Sequence, residues 1–364
     1  MKTPAPYAES IDHSADDHSS LSRRKVMALA APVAAAAIVG PTTLARPAAA
    51  ATSGVGADML DKASAFLASL EAEQLDAATF EFDSNTRRRW SFMHGSRFAP
   101  GLALESMAQP QKDAALDLLA TALSPDGMVT AERIMLQQDI LRDEWGKGSP
   151  DRNRERFSVA LFGTPSLSEP WGWRFEGHHL SLSFTLSGDT VISVTPSSFS
   201  SEPNTVPSGP HKGLVVLQEE AEGRRLYSDL SDANRRAALI SERSYGNILT
   251  TAGREDRLAE AREGVPLADL PQAQVDLALR LIEVYAVDRF AAPLAKAERA
   301  RVGEGDIMAT RFAWAGADLG GSSIYYRLHG ETFLIEFATL RNQPQHHHAI
   351  RHDAERNLGS HRLG

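Results

Sequence analysis

The stretch RFEGHHLSLSFTL, residues 174–186, alternates polar and apolar side chains over most of its length. A period of two belongs to a strand with one buried face, so it predicts a strand over Arg174–Leu186. Its neighbours read the same way. Ser158–Phe162 is strand-like, and Ser187-Gly188-Asp189 is a turn into a further strand at Thr190–Thr195. A second strand-rich region closes the chain at Ile307–Ala315, Ser322–His329 and Thr332–Ala338, with Gly320-Gly321 and His329-Gly330 as its turns. Helical periodicity precedes the first region, at Asp58–Leu75, Pro110–Leu123 and Thr130–Trp145, the last two separated by a turn at Leu123-Ser124-Pro125-Asp126-Gly127. It returns between the regions, near residues 219–229, 231–241 and 272–290. Runs of helices followed by runs of strands predict an α+β fold. Its parts are N-terminal helices, a mixed or antiparallel sheet built from the two strand-rich regions, and an inserted helical segment. Thr195–Pro210, with four prolines and five serines, reads as a long irregular loop and a candidate lid. No repeat with a period of roughly 20–50 residues is visible.

The chain has 364 residues, 42% hydrophobic and 23% charged, which suffices for a sizeable core. The absence of cysteine removes disulfides, thiol catalysis, cysteine-ligated zinc and iron–sulfur clusters. A formal charge of −9 argues against a nucleic-acid partner, whose binding needs basic surface.

The first 51 residues read as an address. Ser22-Arg23-Arg24-Lys25-Val26-Met27 opens an Ala-rich apolar run to Val39, and small residues at Ala48–Ala51 offer an A-x-A cleavage pattern. Paired arginines before a modest apolar stretch indicate export by the twin-arginine translocation machinery. The run falls short of the about 20 residues of a membrane span, so no stable span is expected in the mature chain. Residues 52–364 are expected to form one α+β domain, periplasmic or extracellular. The leader's five basic and four acidic residues leave −10 on that domain.

Several catalytic templates are missing, among them G-x-S-x-G, Walker A, G-x-G-x-x-G and H-E-x-x-H. What stands out is two histidine clusters. One is His178-His179; the other is His346-His347-His348, with His352 beyond it and His329 in the preceding hairpin. His-x-His on a strand turns both imidazoles to one face, so His346 and His348 can grip one ion. Two histidines on one strand with one or two from another element suit zinc, copper or iron. If His178 and His179 are both ligands, the strand must bend between them, and Gly177 permits that. Glu176 and Glu336 are the candidate catalytic carboxylates, Glu336 because it sits in an apolar strand where a charge needs a partner. Arg89, Trp90, Trp173, Arg174 and Tyr326 are candidate substrate contacts.

These residues carry a family resemblance. Arg89-Trp90, Leu123–Gly127, Leu161–Pro165, Trp171–Leu182, Phe312–Gly316, Tyr325-Tyr326-Arg327, Ile335-Glu336 and the closing His346-x-His348 with Asp353 and Gly359 resemble the domain-of-unknown-function 3500 family. Gln345, His347, Arg351 and His352 stand where that pattern has Asn, Ile, Trp and Arg, which demotes His347 and His352 as ligands. The resemblance implies one fold over the mature length and supplies no activity. The expectation is an exported enzyme with a histidine-bound divalent metal, zinc first, that hydrolyses a small-molecule substrate. The alternatives are a copper or iron oxidoreductase, and a metal- or small-molecule-binding protein without turnover.

Overall fold

The computed structural model describes residues 47–93, 100–143, 152–316 and 323–360. The twin-arginine segment and the Gly320-Gly321 turn lie outside them. The first helix, α1 (Pro47–Ala68), starts inside the expected leader. Proline suits a first helical turn and alanine is the best helix former, so this Ala-rich segment is also a good helix start.

The rest runs α2 (Ala72–Ala78), β1 (Thr79–Phe80), α3 (Asn85–Arg88), β2 (Leu102–Ala103), α4 (Gln109–Ala122), α5 (Pro125–Asp143), β3 (Ser158–Phe162), β4 (Pro170–Gly177), β5 (Leu180–Ser187), β6 (Thr190–Ser193) and β7 (Ser197–Phe199). It continues as α6 (Glu219–Ser228), α7 (Asp232–Ala238), β8 (Leu239–Ser241), β9 (Val265–Pro266), α8 (Gln272–Glu283), α9 (Ala292–Val302), β10 (Arg311–Ala315), β11 (Tyr325–His329), β12 (Phe333–Leu340) and β13 (Gln343–Asp353). This is the expected α+β class. Both strand-rich regions enter one mixed sheet of 13 strands.

The strand order β1-β3-β4-β5-β7-β13-β12-β11-β10-β8 reads as two equivalent halves meeting at β7 and β13. In each half a short strand runs parallel to the first strand of a meander, β1 on β3 and β8 on β10. A second short strand pairs antiparallel to the same meander strand, β2 on β3 and β9 on β10. The halves are about 150–160 residues apart in sequence, beyond the range in which a short-period repeat would show.

One face of the sheet is apolar and covered by helices. Phe66, Leu118 and Leu119 pack on Trp171, Trp173, Phe175 and Phe184 in the first half. Leu279 and Ile282 pack on Trp314, Tyr326 and Phe337 in the second. The other face is polar and covered by two loop segments, with a small apolar cluster containing Trp90, Phe92, Ile248 and Tyr325 beneath them.

Three expectations change. Arg174–Leu186 is not one strand but the hairpin β4–β5, because Gly177 pairs with Leu180 and leaves His178-His179 as a two-residue turn. Thr195–Pro210 is no lid. It contains β7, which is buried and paired on both sides, to β5 and β13. Its serines hid it, since strand composition normally shows as β-branched and aromatic residues. The third expected helix starts at Pro125 rather than Thr130, which absorbs the turn into its first residues.

Gly101 and Gly264 occupy matching places, each preceding the second short strand of its half. Their φ angles are +121° and +104°. A Cβ there would lie 2.5 Å from the Val159 carbonyl oxygen and 2.2 Å from that of Phe312. Both the backbone conformation and the contact exclude a side chain. Gly101→Ala and Gly264→Ala are each expected to cost at least about 2 kcal/mol, read by urea denaturation. If either is neutral, the two short strands are not equivalently seated.

Candidate metal centre

The histidines meet where the two halves join. The β4–β5 turn presents His178 and His179, with rings stacked at 3.6 Å between centroids. His179 has φ +70°, a left-handed conformation that a turn of this kind usually gives to Gly or Asn. Such a residue costs on the order of 1 kcal/mol and persists only where its surroundings fix it. Here they do: His179 N donates to the Phe92 carbonyl and its own carbonyl accepts from Ser200 N, both at 2.8 Å. Backbone strain held in this way is a mark of functional positions.

From the second half, β13 contributes His346 and His348 on one face, as its alternation requires. His346 Nε2 lies 2.9 Å from His179 Nε2 and 3.1 Å from His348 Nε2. His178, His179, Glu202 and His346 each place a ligand atom within 4.8 Å of the others. His179 and His348 are almost fully buried, at 0% and 2% exposure.

The outer ring nitrogens decide what the inner ones are. His348 Nδ1 faces Asn247 Oδ1 at 2.7 Å, and that oxygen also accepts from Ile248 N at 2.8 Å, which fixes the amide's orientation. His178 Nδ1 faces Gln138 Oε1 at 2.6 Å, while Gln138 Nε2 donates to the Ile134 carbonyl at 3.2 Å. His346 Nδ1 meets Gln343 Oε1 at 2.9 Å and a Glu202 oxygen at 3.4 Å. At His346 and His348 the partners accept, so the protons sit on Nδ1 and both Nε2 atoms carry lone pairs; His178 Nδ1 also meets the donating Arg152 guanidinium at 3.3 Å, so its tautomer is not fixed in this way. Two lone pairs 3.1 Å apart repel unless a cation lies between them. Burial, and the charge of neighbouring imidazoles, hold His179 and His348 far below the ordinary histidine range, so both are neutral at pH 7. Neutral imidazoles are what a metal site requires; His348 is oriented from behind by the Asn247 amide oxygen, and His179 by the backbone of its turn.

The remaining histidines take structural roles. His347 points to the opposite face, against Phe337, and reaches Glu220 at 3.0 Å. His352 shares the His346 face but is held by the Thr250 carbonyl and by Asn357 Nδ2. His329 sits at the end of β11, within the second half, and burial beside Arg327 lowers its pKa to about 4.

The two expected catalytic carboxylates are not among the residues that gather with His178, His179 and His346; each anchors a loop segment to the polar face. Glu176 Oε2 accepts from Ser91 N at 3.0 Å and pairs with Arg174 Nε at 2.9 Å. Glu336 accepts from Leu249 N and Thr250 N, both at 2.9 Å, from the Tyr325 hydroxyl at 2.7 Å and from the Thr250 hydroxyl. Arg174 also donates to the Arg87 and Thr86 carbonyls, so it is an internal strut rather than a substrate contact. Trp173, stacked on Phe184, and Tyr326, bonded to Tyr285 and the Glu219 carbonyl, belong to the core on the helix-covered face. The carboxylate that does join the centre is Glu202, from the segment misread as a lid. Gln138 left a faint trace in the sequence: an amide on the buried face of a helix, beside Ile134 and Leu141.

Arg89 and Trp90 border a cleft of about 1100 Å³ whose wall includes Phe92 and Asn247. Phe92 stacks edge-on against His348 at 4.8 Å, and Asn247 is that histidine's Nδ1 partner. The cleft therefore abuts the centre.

The family model for DUF3500, described as a protein of unknown function, matches residues 53–359. The chain belongs to this family. No curated protein and no solved structure matches it. The DUF3500 match spans both halves of the sheet and every residue of the centre.

Burial pushes the Glu176 carboxyl up to about 7, against the pull of Arg174 and the Ser91 amide. A raised carboxyl pKa favours the fold below the unfolded value and works against it as pH rises through 7. Glu176→Gln is therefore expected to flatten the loss of stability between pH 5 and pH 8, by about 2 kcal/mol, measured by denaturation at the two pH values. An unchanged slope would show that the carboxyl ionises freely in the fold. Glu336→Ala leaves several buried donors unanswered and is expected to cost about 3 kcal/mol or more. Metal content per folded molecule should not change; a variant that stays as stable but loses metal would make Glu336 a ligand.

Proposed function

We propose that the protein is an exported metal-dependent hydrolase acting on a small molecule, with a divalent cation held by His179, His346 and His348 and by the adjoining His178 and Glu202. One observation carries the reading: Nε2 atoms from both halves of the sheet converge at 2.9 and 3.1 Å, and those of His346 and His348 both carry lone pairs. A single proton would answer one such contact. A set of four donors within 4.8 Å suits a metal ion.

The donors are nitrogen and oxygen without sulfur, which suits zinc and, after it, iron or copper. The ion would supply Lewis acidity toward an oxygen-bearing substrate. The chain's own groups do the rest. Asn247 and Gln343 hold His348 and His346 in the metal-binding tautomer. Glu202 is the carboxylate placed to hold or accept a proton beside the ion. The neighbouring cleft gives a substrate room next to the centre, which supports catalysis over mere storage. The twin-arginine leader supports export of a chain already folded around its metal. Among the described residues no helix is long and apolar enough to cross a membrane.

Elemental analysis tests the reading on residues 52–364, purified without added metal, beside His179→Ala/His346→Ala and the control His347→Ala. About one equivalent of a transition metal is expected in the parent and the control, and a loss of at least tenfold in the double variant. Metal restored to stripped protein at 100 times its dissociation constant should raise stability by about 2.7 kcal/mol. No metal above background in the parent, with no stabilisation on adding zinc, copper or iron, would overturn it.

A further inference from the structure

The cleft beside the metal centre has an uneven charge. Arg88 and Arg89 line it, with Asn85, Thr86, Asn247 and Thr251, and among the described residues its lining holds no aspartate or glutamate. In a chain with 47 acidic and 38 basic residues, such a lining stands out. Both arginines are exposed, and neither takes part in any of the ion pairs among the described residues. Arg87, behind them, gives its guanidinium to the Phe82 and Leu358 carbonyls rather than to a carboxylate. Its pKa is lowered to about 10 by burial and by the positive charges of Arg88 and Arg174. Positive charge is therefore concentrated along residues 87–89. Among the described residues, the one acidic group lining the adjoining recess, of about 580 Å³, is Glu255, and it accepts from Trp90 Nε1 at 2.9 Å.

The opposite wall joins this patch to the metal. Asn247 Oδ1 is fully used, by His348 Nδ1 at 2.7 Å and by Ile248 N at 2.8 Å. Its amide nitrogen is left to the cleft it lines. A group seated between Arg88, Arg89 and Asn247 thus lies within one side chain of a candidate ligand. Trp90, Phe92 and Met93 give the same space an apolar wall.

We infer that the cleft is the substrate subsite and that the substrate is an organic anion, with its oxyanion group bound by Arg88 and Arg89 and its apolar body against Trp90, Phe92 and Met93. This rests on the hydrolase reading for the word substrate, but the anion site stands on the cleft itself. Arginine forks suit planar oxyanions such as carboxylates, and they also hold phosphoryl groups. Asn247 then has two tasks: it orients His348 and bounds the seat of the anion, so occupancy of the cleft is coupled to the centre.

Titration calorimetry with benzoate, phenylphosphonate and neutral benzamide tests this, using metal-loaded and metal-stripped protein and the variant Arg88→Gln/Arg89→Gln. Both substitutions lie on exposed side chains, so the variant is expected to fold and to keep its metal content. Benzoate or phenylphosphonate should bind at least tenfold more tightly than benzamide, and the stronger of the two names the oxyanion class. The variant should lose at least tenfold in that affinity, while metal-stripped protein keeps arginine-dependent binding. Equal binding of the anions and benzamide, or no anion binding, would overturn the inference. So would anion binding that disappears with the metal and survives loss of both arginines, an outcome that leaves the metal centre standing. Arginine-dependent binding in a protein that holds no metal would retain the anion site and sink the hydrolase reading instead.

Discussion

The pairing of β7 with β13 is the constraint on which everything else hangs. Ser198 faces Ile350 and Ser197 faces Arg351 in a ladder only two residue pairs long. Yet that ladder turns two half-sheets into one and fixes the register of the whole molecule. A single row of directly paired residues runs from Ser158 through Glu176, Ser181, Ser198, Ile350 and Glu336 to Arg327 and Ala313. A slip of one residue at β7 would turn every side chain of one half to the wrong face. Short as it is, the strand is buried and its serines are tied across the junction: Ser198 Oγ donates to the Ala349 carbonyl, and Ser200 Oγ accepts from Ala349 N.

The histidine centre is a consequence of that junction. One pair of candidate ligands comes from a hairpin turn of the first half and the other from the last strand of the second, 167 residues apart between His179 and His346. The strain at His179 is tolerable because β7's continuation and the Phe92 segment grip the turn from two sides. Folding of the sheet and assembly of the site are thereby one event, and metal bound at the centre would stabilise the joined sheet rather than either half.

The polar face shows how the two halves use one device. Each projects a buried carboxylate from its meander onto the backbone amides of a covering loop, Glu176 to Ser91 and Glu336 to Leu249 and Thr250. These loops then supply the cleft wall, through Trp90–Met93 on one side and Asn247 with Thr251–Gly253 on the other. The carboxylates that looked catalytic are what hold the cleft in shape. A charge buried in an apolar strand does demand a partner, and here backbone donors supply it, with Arg174 beside Glu176 and the Tyr325 and Thr250 hydroxyls at Glu336.

How much was legible follows from range. Local periodicity carried the α+β class, the apolar faces of the helices and the strand character of both regions, because those patterns repeat within ten residues or so; it did not carry the hairpin that divides Arg174–Leu186. The shared face of His346 and His348 was equally legible, since alternation on a strand is fixed by backbone geometry. The sequence also determined the chemistry on offer: imidazoles and carboxylates without thiols. It did not determine which of them meet. Glu202, Gln138 and Asn247 reach the centre from segments with no local signal, and Trp173 and Tyr326 went to the core because the helices chose that face of the sheet. Side-chain direction at a turn, register at a two-pair ladder and convergence across 167 residues are set by tertiary packing. Those terms depend on distant partners, so no window along the chain contains them.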